Sequence, residues 1–491
     1  MKEEEDVTKH LGDMDPDEFR RFGHRLVDWV ADYLSDTSRY PVLSRSQPGD
    51  IRRLLPNEPP EKGEAMEAIL SDLESVILPG ITHWNHPSFF SYFSITGSGP
   101  GILGELVCAA LNVNGMLWRT SPAATELEEV VVDWLRRMLG LPDSNWGIIY
   151  DTASISTLHA LAAAREAVPE LDCRRKGLTQ GIRPLRVYTS EHAHSSVEKA
   201  ALALGLGQVG VRKIPVDESF RMAPDELADA IEADLRAGMR PFCVVATVGT
   251  TSTTSVDPVP PIAELCRRYG LWLHVDAAYA GPAALLPEMK WILEGCEDAD
   301  SLVTNPHKWL FTPIDCSVLF CRRPEVLREA FSLVPEYLRS EETATNFMDY
   351  GVQLGRRFRA LKLWMVIRYF GRKGLEERIR RHIEWTGELA SWIDADPDFE
   401  RMAPAPFSTV CFRALPNVRS GGDEAATDRL NERLLEKVNR SGEAFLSHTR
   451  LNGRFTLRLA IGNLKTTADD IRRVWDLIRG SAASLRKSDE H

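Results

Sequence analysis

No stretch of this 491-residue sequence approaches the roughly 20 consecutive apolar residues that a membrane-crossing helix needs. The opening run, MKEEEDVTKH, is acidic and lacks an apolar centre, so it is not expected to act as a secretory leader. Basic clusters are scarce too. The net charge is −12, and the densest basic run, Arg174-Arg175-Lys176, is short. A surface that tracks phosphates needs Lys and Arg gathered on one face, so nucleic acid is not an expected partner. The eight cysteines (108, 173, 243, 266, 296, 316, 321 and 411) are scattered and form no C-x-x-C pair. Free thiols in a reducing cytosol are the expectation, with a cytoplasmic location. Internal repeats are absent.

Hydrophobic residues make up 43% of the chain and charged residues 26%, an ordinary balance for a globular protein. The length exceeds what one compact core usually holds and suggests two or three lobes. Residues 17–34 place Phe19, Phe22, Leu26, Trp29, Val30 and Tyr33 at helical spacing after Asp15-Pro16. That apolar stripe precedes any large core, so a partner subunit or a later domain has to cover it. A Pro-rich connector, NEPPEKGE, follows at 57–64. Further on, 121–141 reads as a helix capped by Ser121, opened by Pro122 and stopped by Gly140.

Short apolar strands then alternate with helices: GIIY (147–150), LRVYT (185–189), FCVVATV (242–248), LWLHV (271–275), SLVT (301–304) and SVLFC (317–321). The alternation predicts an α/β fold with a mostly parallel central sheet flanked by helices. After about residue 370 a long charged helix leads into strands STVCFRA and RFTLRLAI, which predicts a smaller α+β lobe. The expected division is a helical segment at 1–88, a large domain at 89–370 and a small C-terminal domain at 371–491.

Ligands of parallel sheets sit beyond the carboxyl ends of the strands. There the sequence places Asp151-Thr152-Ala153-Ser154, then His192-Ala193-His194, Gly249-Thr250-Thr251, Asp276-Ala277-Ala278 and Asn305-Pro306-His307-Lys308. These parts suit pyridoxal phosphate. Its aldehyde needs an amine, which Lys308 supplies, and a buried lysine has a lowered pKa. Its ring nitrogen needs a carboxylate, which Asp276 supplies. Its phosphate needs N–H groups and hydroxyls at a helix start, which Thr152, Ala153 and Ser154 supply, with Asn305 or His307 closing the cup. Its flat ring needs a planar neighbour, which His194 supplies.

Each feature alone has an ordinary explanation. Ser and Thr before helices are usually caps, and a lone Asp after a strand is usually a turn former. His192-Ala193-His194 lacks a third ligand at metal spacing, so no metal site is expected. The set outweighs the single readings, because five strand ends match one cofactor. Gly205-Leu206-Gly207-Gln208-Val209-Gly210 matches G-x-G-x-x-G, but a helix precedes it and a strand follows. A dinucleotide motif needs the reverse order.

The sequence resembles the group II pyridoxal-phosphate decarboxylases, and most closely their aromatic-L-amino-acid branch. The matching stretches are PGITHWNHPSFFSYF (79–93), TSPAATELE (120–128), HAHSSVEKA (192–200), VATVGTT (245–251), WLHVDAAYAG (272–281), NPHKWL (305–310) and LGRRFRALKLW (354–364). The resemblance implies fold type I and a homodimer whose N-terminal helices pack across subunits. It implies that Lys308 binds the cofactor aldehyde, Asp276 meets the ring nitrogen and His194 stacks on the ring. Ala153, Ser154 and Asn305 would hold the phosphate, Thr251 and Ala278 would line the pocket, and His307 would lie beside them.

The implied reaction is decarboxylation of an L-amino acid to the amine, with Tyr337 on the 332–351 loop returning a proton to Cα. Aldehyde-forming relatives usually replace Tyr337 or His194, and both are present. Asp151 stands where relatives usually carry glycine. Asn114, Met116 and Ile95 depart from the aromatic branch in the substrate pocket, while Gly355 leaves room for a bulky ring and tilts the expectation towards indole or phenol substrates. Aldehyde synthesis, a histidine, glutamate or other acidic-substrate decarboxylase, and an inactive cofactor-binding scaffold are the competing expectations. The intact Lys308, Asp276, His194 and Tyr337 argue against the scaffold.

Overall fold

The computed structural model describes residues 12–93, 95–168, 171–178, 183–333, 344–416 and 423–488. Its strands, in chain order, are β1 Phe89–Phe90, β2 Trp146–Tyr150, β3 Leu185–Ser190, β4 Val211–Ile214, β5 Arg240–Thr247 and β6 Trp272–Asp276. They continue with β7 Ser301–Thr304, β8 Ser317–Cys321, β9 Phe399–Arg401, β10 Thr409–Ala414, β11 Phe445–Leu451 and β12 Arg454–Ala460.

Among the described residues, seven strands form the large sheet in the order β2-β8-β7-β6-β5-β3-β4. Neighbours from β7 through to β4 pair in parallel, and β8 runs antiparallel to both β7 and β2. The central strands are buried on both faces, which is why FCVVAT reads as an unbroken apolar run. Helix Pro122–Leu139 forms as its sequence predicts. Ser121 Oγ accepts from the Ala124 N–H at 3.3 Å, and Gly140 ends the helix with φ 82°. The glycines at 205 and 207 have positive φ in a turn between helix Ser196–Ala203 and β4, so no dinucleotide loop is built there.

The second sheet has the order β1-β11-β12-β10-β9. It contains β10 and β12 as the sequence suggests, and also β11, which the sequence reading passed over. Ser447, His448, Thr449 and Arg450 give β11 little apolar signal; five residue pairs with β12 establish it. Phe89 and Phe90 pair with Phe445 and Leu446, so the chain enters the small sheet before the large one. The long helix Arg359–Ala395 bridges the two sheets and breaks at Gly371, where φ is 64° and ψ 165°. Glycine takes that conformation without a Cβ penalty.

A buried ion pair ties the β2 side of the large sheet together. Arg356 Nη2 lies 2.6 Å from Glu128 Oε1, with side chains 7% and 5% exposed. The same guanidinium donates to the Ile149 carbonyl at 2.7 Å, and Glu128 accepts from the Ile149 N–H at 2.9 Å. Helix Pro122–Leu139, β2 and the segment around 356 are thus locked just before Asp151. Removing one partner of such a pair costs about 3–5 kcal/mol, because the other charge stays buried alone. Glu128→Ala is therefore expected to lower the unfolding free energy by that amount, read as a lower urea midpoint. A midpoint equal to that of the parent would refute this account.

Candidate active site

Lys308 is carried on a single helical turn, Pro306–Trp309, directly after β7. Its amine is partly enclosed, 5.2 Å from the centroid of the Phe93 ring. Phe93 stacks on Tyr279 at 3.8 Å, and Tyr279 stacks on Trp309 at 5.1 Å. The buried Trp309 is pinned by its Nε1–H, which donates to His382 Nδ1 at 3.0 Å. This aromatic column is the apolar wall behind the lysine. Burial lowers the Lys308 pKa from the usual lysine range; Asp276 opposes that shift, and Arg458 adds to it. More of the amine is therefore in the nucleophilic, neutral form than for a lysine in water.

Asp276 ends β6 and is buried, opposite Thr247 of β5 and Val303 of β7. Its Oδ1 accepts from the Ala278 N–H at 3.1 Å. His194 follows β3. Its Nδ1 takes the Ser196 N–H at 3.1 Å and lies 2.9 Å from Ser196 Oγ, which leaves the ring proton on Nε2. Burial holds its pKa below the ordinary value; Asp276 pulls it up, and Lys308 and Lys199 push it down. His194 is accordingly neutral at pH 7. These mutual effects place Lys308, Asp276 and His194 at one rim of the sheet.

The expected phosphate cup starts helix Ala153–Glu166, whose first turn carries no side-chain cap and no acidic residue. Ala153 is buried and Ser154 exposed. Thr152 is differently engaged: its Oγ1 donates to Asp151 Oδ1 at 3.0 Å, and its N–H bonds the same oxygen. Asp151 Oδ2 accepts from Gln353 Nε2 at 3.1 Å, and its charge also reaches Arg359. Asn305 Nδ2 lies 3.3 Å from His307 Nε2, while His307 Nδ1 accepts from the Cys316 N–H at 2.9 Å. Burial takes His307 down to about 3, so it too is neutral. Ala278 is buried beside Asp276, whereas Thr251 is exposed on the turn after β5.

Three of the four expected substrate-pocket positions meet. Asn114 Oδ1 accepts from the Arg356 N–H at 2.9 Å, its Nδ2 lies 3.5 Å from Met116 Sδ, and Gly355 adjoins them. Ile95 is half-buried on the stretch before helix Gly99–Leu111. Tyr337 lies outside the described residues. Arg458 of β12 is buried near Lys308. Its Nε donates to the Ser252 carbonyl at 3.0 Å, its Nη1 to the Tyr92 carbonyl, and its guanidinium lies 4.5 Å from the Phe93 ring centroid. Its Nη2 is buried with no hydrogen-bond partner among the described residues, leaving a donor for a small carboxylate.

The rim fits pyridoxal phosphate. An uncapped helix start offers N–H groups to an anion, and buried polar atoms at the strand ends (Ser190 Oγ, Thr247 Oγ1, Asn305 Oδ1) have no partner among the described residues. The model of the pyridoxal-dependent decarboxylase conserved domain matches residues 48–415. The chain belongs to the pyridoxal-dependent decarboxylase family. It is 42% identical to the aromatic-L-amino-acid decarboxylase of Sus scrofa over 97% of this chain and 99% of that one. It is 40% identical to phenylacetaldehyde synthase of Arabidopsis thaliana, covering 97% of this chain and 98% of that one. A crystal structure of Oryza sativa TDC with PLP and tryptamine superposes with a TM-score of 0.93 at 36% identity, covering 97% of this chain and 99% of the other. This decarboxylase-family chain is thus a fold type I enzyme that uses pyridoxal phosphate as a carboxy-lyase.

Sequence reasoning singled out neither Phe93 nor Tyr279 as part of the site, although both lie in stretches that carry the family resemblance. Their signal was aromatic identity beside a strand end, which an ordinary core also produces. Asp151 takes up the Thr152 hydroxyl and adds negative charge next to the expected phosphate cup. At an effective dielectric near 20 this repulsion amounts to about 1–2 kcal/mol once screened. Asp151→Asn keeps the side-chain shape and removes the charge, and is expected to lower the pyridoxal phosphate Kd roughly tenfold. Equilibrium dialysis measures it; an unchanged or higher Kd would rule out electrostatic opposition.

Proposed function

We propose that the enzyme removes the carboxylate of an aromatic L-amino acid as CO2 and releases the amine. The carrying observation is the meeting of Lys308, Asp276 and His194 at one rim in a chain so similar to aromatic decarboxylases. When bound, the pyridoxal ring supplies the sink for the electrons that CO2 leaves behind. Lys308 would hold the cofactor through its aldehyde. Asp276 keeps a proton on the ring nitrogen. His194 presents its neutral ring to the cofactor face, and Ala153, Ser154 and Asn305 hold the phosphate. Tyr337 returns the proton to Cα. Gly355 supports an indole or phenol substrate: an added Cβ there would meet nothing closer than Asn114 Nδ2 at 3.9 Å.

The test is an assay of CO2, amine, aldehyde and peroxide over a panel of L-amino acids. Amine equal to CO2 from tryptophan, tyrosine, dopa or phenylalanine is the expected result. CO2 released from histidine or glutamate alone would overturn the substrate assignment. In the same assay Tyr337→Phe is expected to divert product from amine to aldehyde with peroxide. Unchanged amine output would remove Tyr337 from the proton-donor role.

A homodimer completes this reading. Helix Gly99–Leu111 exposes Leu103, Leu106, Val107 and Leu111, and helix Pro16–Ser35 exposes Phe19 and Val27, apolar faces that a second copy would cover. Leu103→Glu with Leu106→Glu is expected to convert a dimer into monomers in sedimentation velocity, with loss of activity. A parent protein that already sediments as a monomer would defeat the proposal. The eight free thiols support a reducing, cytoplasmic location; among the described residues no helix is long and apolar enough to cross a membrane.

A further inference from the structure

The aromatic column behind Lys308 ends on a polar node in an otherwise apolar core. An indole N–H can only donate, so His382 Nδ1 accepts the Trp309 bond and the imidazole proton lies on Nε2. Both rings are buried and lie nearly parallel, 5° apart with centroids at 6.4 Å. The Asn463 carbonyl is the backbone hydrogen-bond partner of the same imidazole. Burial, with Arg378 adding to it, takes His382 down to about 4 against the pull of that carbonyl, so the ring is neutral at pH 7.

The buried Asn463 carries the connection to the other wall of the site. Its Nδ2 donates to the Trp84 carbonyl at 3.0 Å and to the His86 carbonyl at 2.9 Å. Its Oδ1 accepts from the Lys465 N–H at 2.9 Å. Trp84 stacks on Phe89 at 4.4 Å, and the same segment runs on to Phe93, whose ring centroid is 5.2 Å from the Lys308 amine. His382 and Asn463 thus join the segment that bears Lys308 to the segment that bears Phe93. The lysine turn needs such an anchor. Pro306–Trp309 is a single helical turn of four residues, and Phe311 just beyond it has φ 54°. One turn does not hold itself, because nucleation costs more than its first hydrogen bond returns. Trp309 fastens it through the stack on Tyr279 and the bond to His382. A buried imidazole is also a costly filler where a leucine would pack, so its two hydrogen bonds have to offset that penalty.

We infer that His382 is a positioning residue for Lys308, holding the lysine-bearing turn and the Phe93 segment together so that water is kept from the amine. The inference rests on the assignment of Lys308 as the cofactor-binding lysine. Asp276, Arg458, His194 and His307 are the titratable neighbours of Lys308, and substitutions of His382 leave all four in place. The test follows cofactor capture by the full-length protein after removal of pyridoxal phosphate. Capture condenses the Lys308 amine with the cofactor aldehyde and releases one water; absorbance reads its rate across pH. His382→Leu leaves the indole N–H unpaired and loosens both walls, so the lysine pKa rises towards its usual value. Less neutral amine then remains at pH 7, and capture is expected to slow roughly fivefold, with the pH midpoint of the rate moved upwards. His382→Gln can accept from Trp309 and donate to Asn463, and is expected to recover about half of the parent rate or more. Should His382→Leu fail to fold, Trp309→Phe removes the same bond from the other side and is expected to move the midpoint in the same direction. An unmoved midpoint, with only stability to urea lowered, would make His382 a structural residue and overturn the inference. Equal losses in His382→Gln and His382→Leu would overturn it too. Lys308→Ala is expected to abolish capture. Capture that survives it would refute the Lys308 assignment and the inference with it, whereas an unmoved midpoint refutes the inference alone.

Discussion

The charge of Lys308 is set by an imbalance at one rim of the sheet: desolvation disfavours its ammonium form, Asp276 supports it and Arg458 opposes it. The half-buried Lys308 and the buried Arg458 both lie against the Phe93 ring. Burying unbalanced charge is costly unless a proton leaves or an anion arrives. Both responses are useful to this enzyme. Lys308 yields its proton more readily than a lysine in water, and Arg458 retains a buried donor. His307, held neutral by burial, adds no charge to the balance.

The frame that maintains this imbalance is the parallel sheet. Each strand delivers its last residue and the following turn to one rim, so residues more than a hundred positions apart meet without long loops. The Arg356–Glu128 pair fastens the side where β2 passes into the expected phosphate cup. Asp151 complicates that side. Its carboxylate is satisfied by Thr152 and Gln353 and lies within electrostatic reach of Arg359, yet it stands two residues before the helix start expected to hold the phosphate. The single reversed strand, β8, gives the opposite rim its own character by carrying two arginines to where the other strands begin.

Much of this was readable from residue order. Alternation of short apolar runs with helical stretches marked β2, β3 and β5 to β8 nearly to the residue, and Ser121, Gly140 and the turn at Gly205–Gly207 behaved as local backbone chemistry dictates. What escaped notice had weak local signal. β11 is polar over four consecutive positions and owes its conformation to pairing with β12. Phe89 and Phe90 gave no hint that they would pair with Phe445 and Leu446, a contact made across most of the chain. Thr152 looked like a phosphate ligand because its type and position suit one; the direction of its hydroxyl depends on Asp151, which only the folded geometry shows.

The sequence by itself determined which side chains end each strand, Lys308, Asp276 and His194 among the groups that follow them, because strand length and helix punctuation are local properties. Tertiary structure decided which of those side chains feel one another, and therefore their charge states. Only packing brings Phe93, Tyr279 and Trp309 into one column behind the lysine and leaves a nitrogen of Arg458 buried without a partner among the described residues. Burial and proximity set a pKa, and neither is a property of any single residue in the chain.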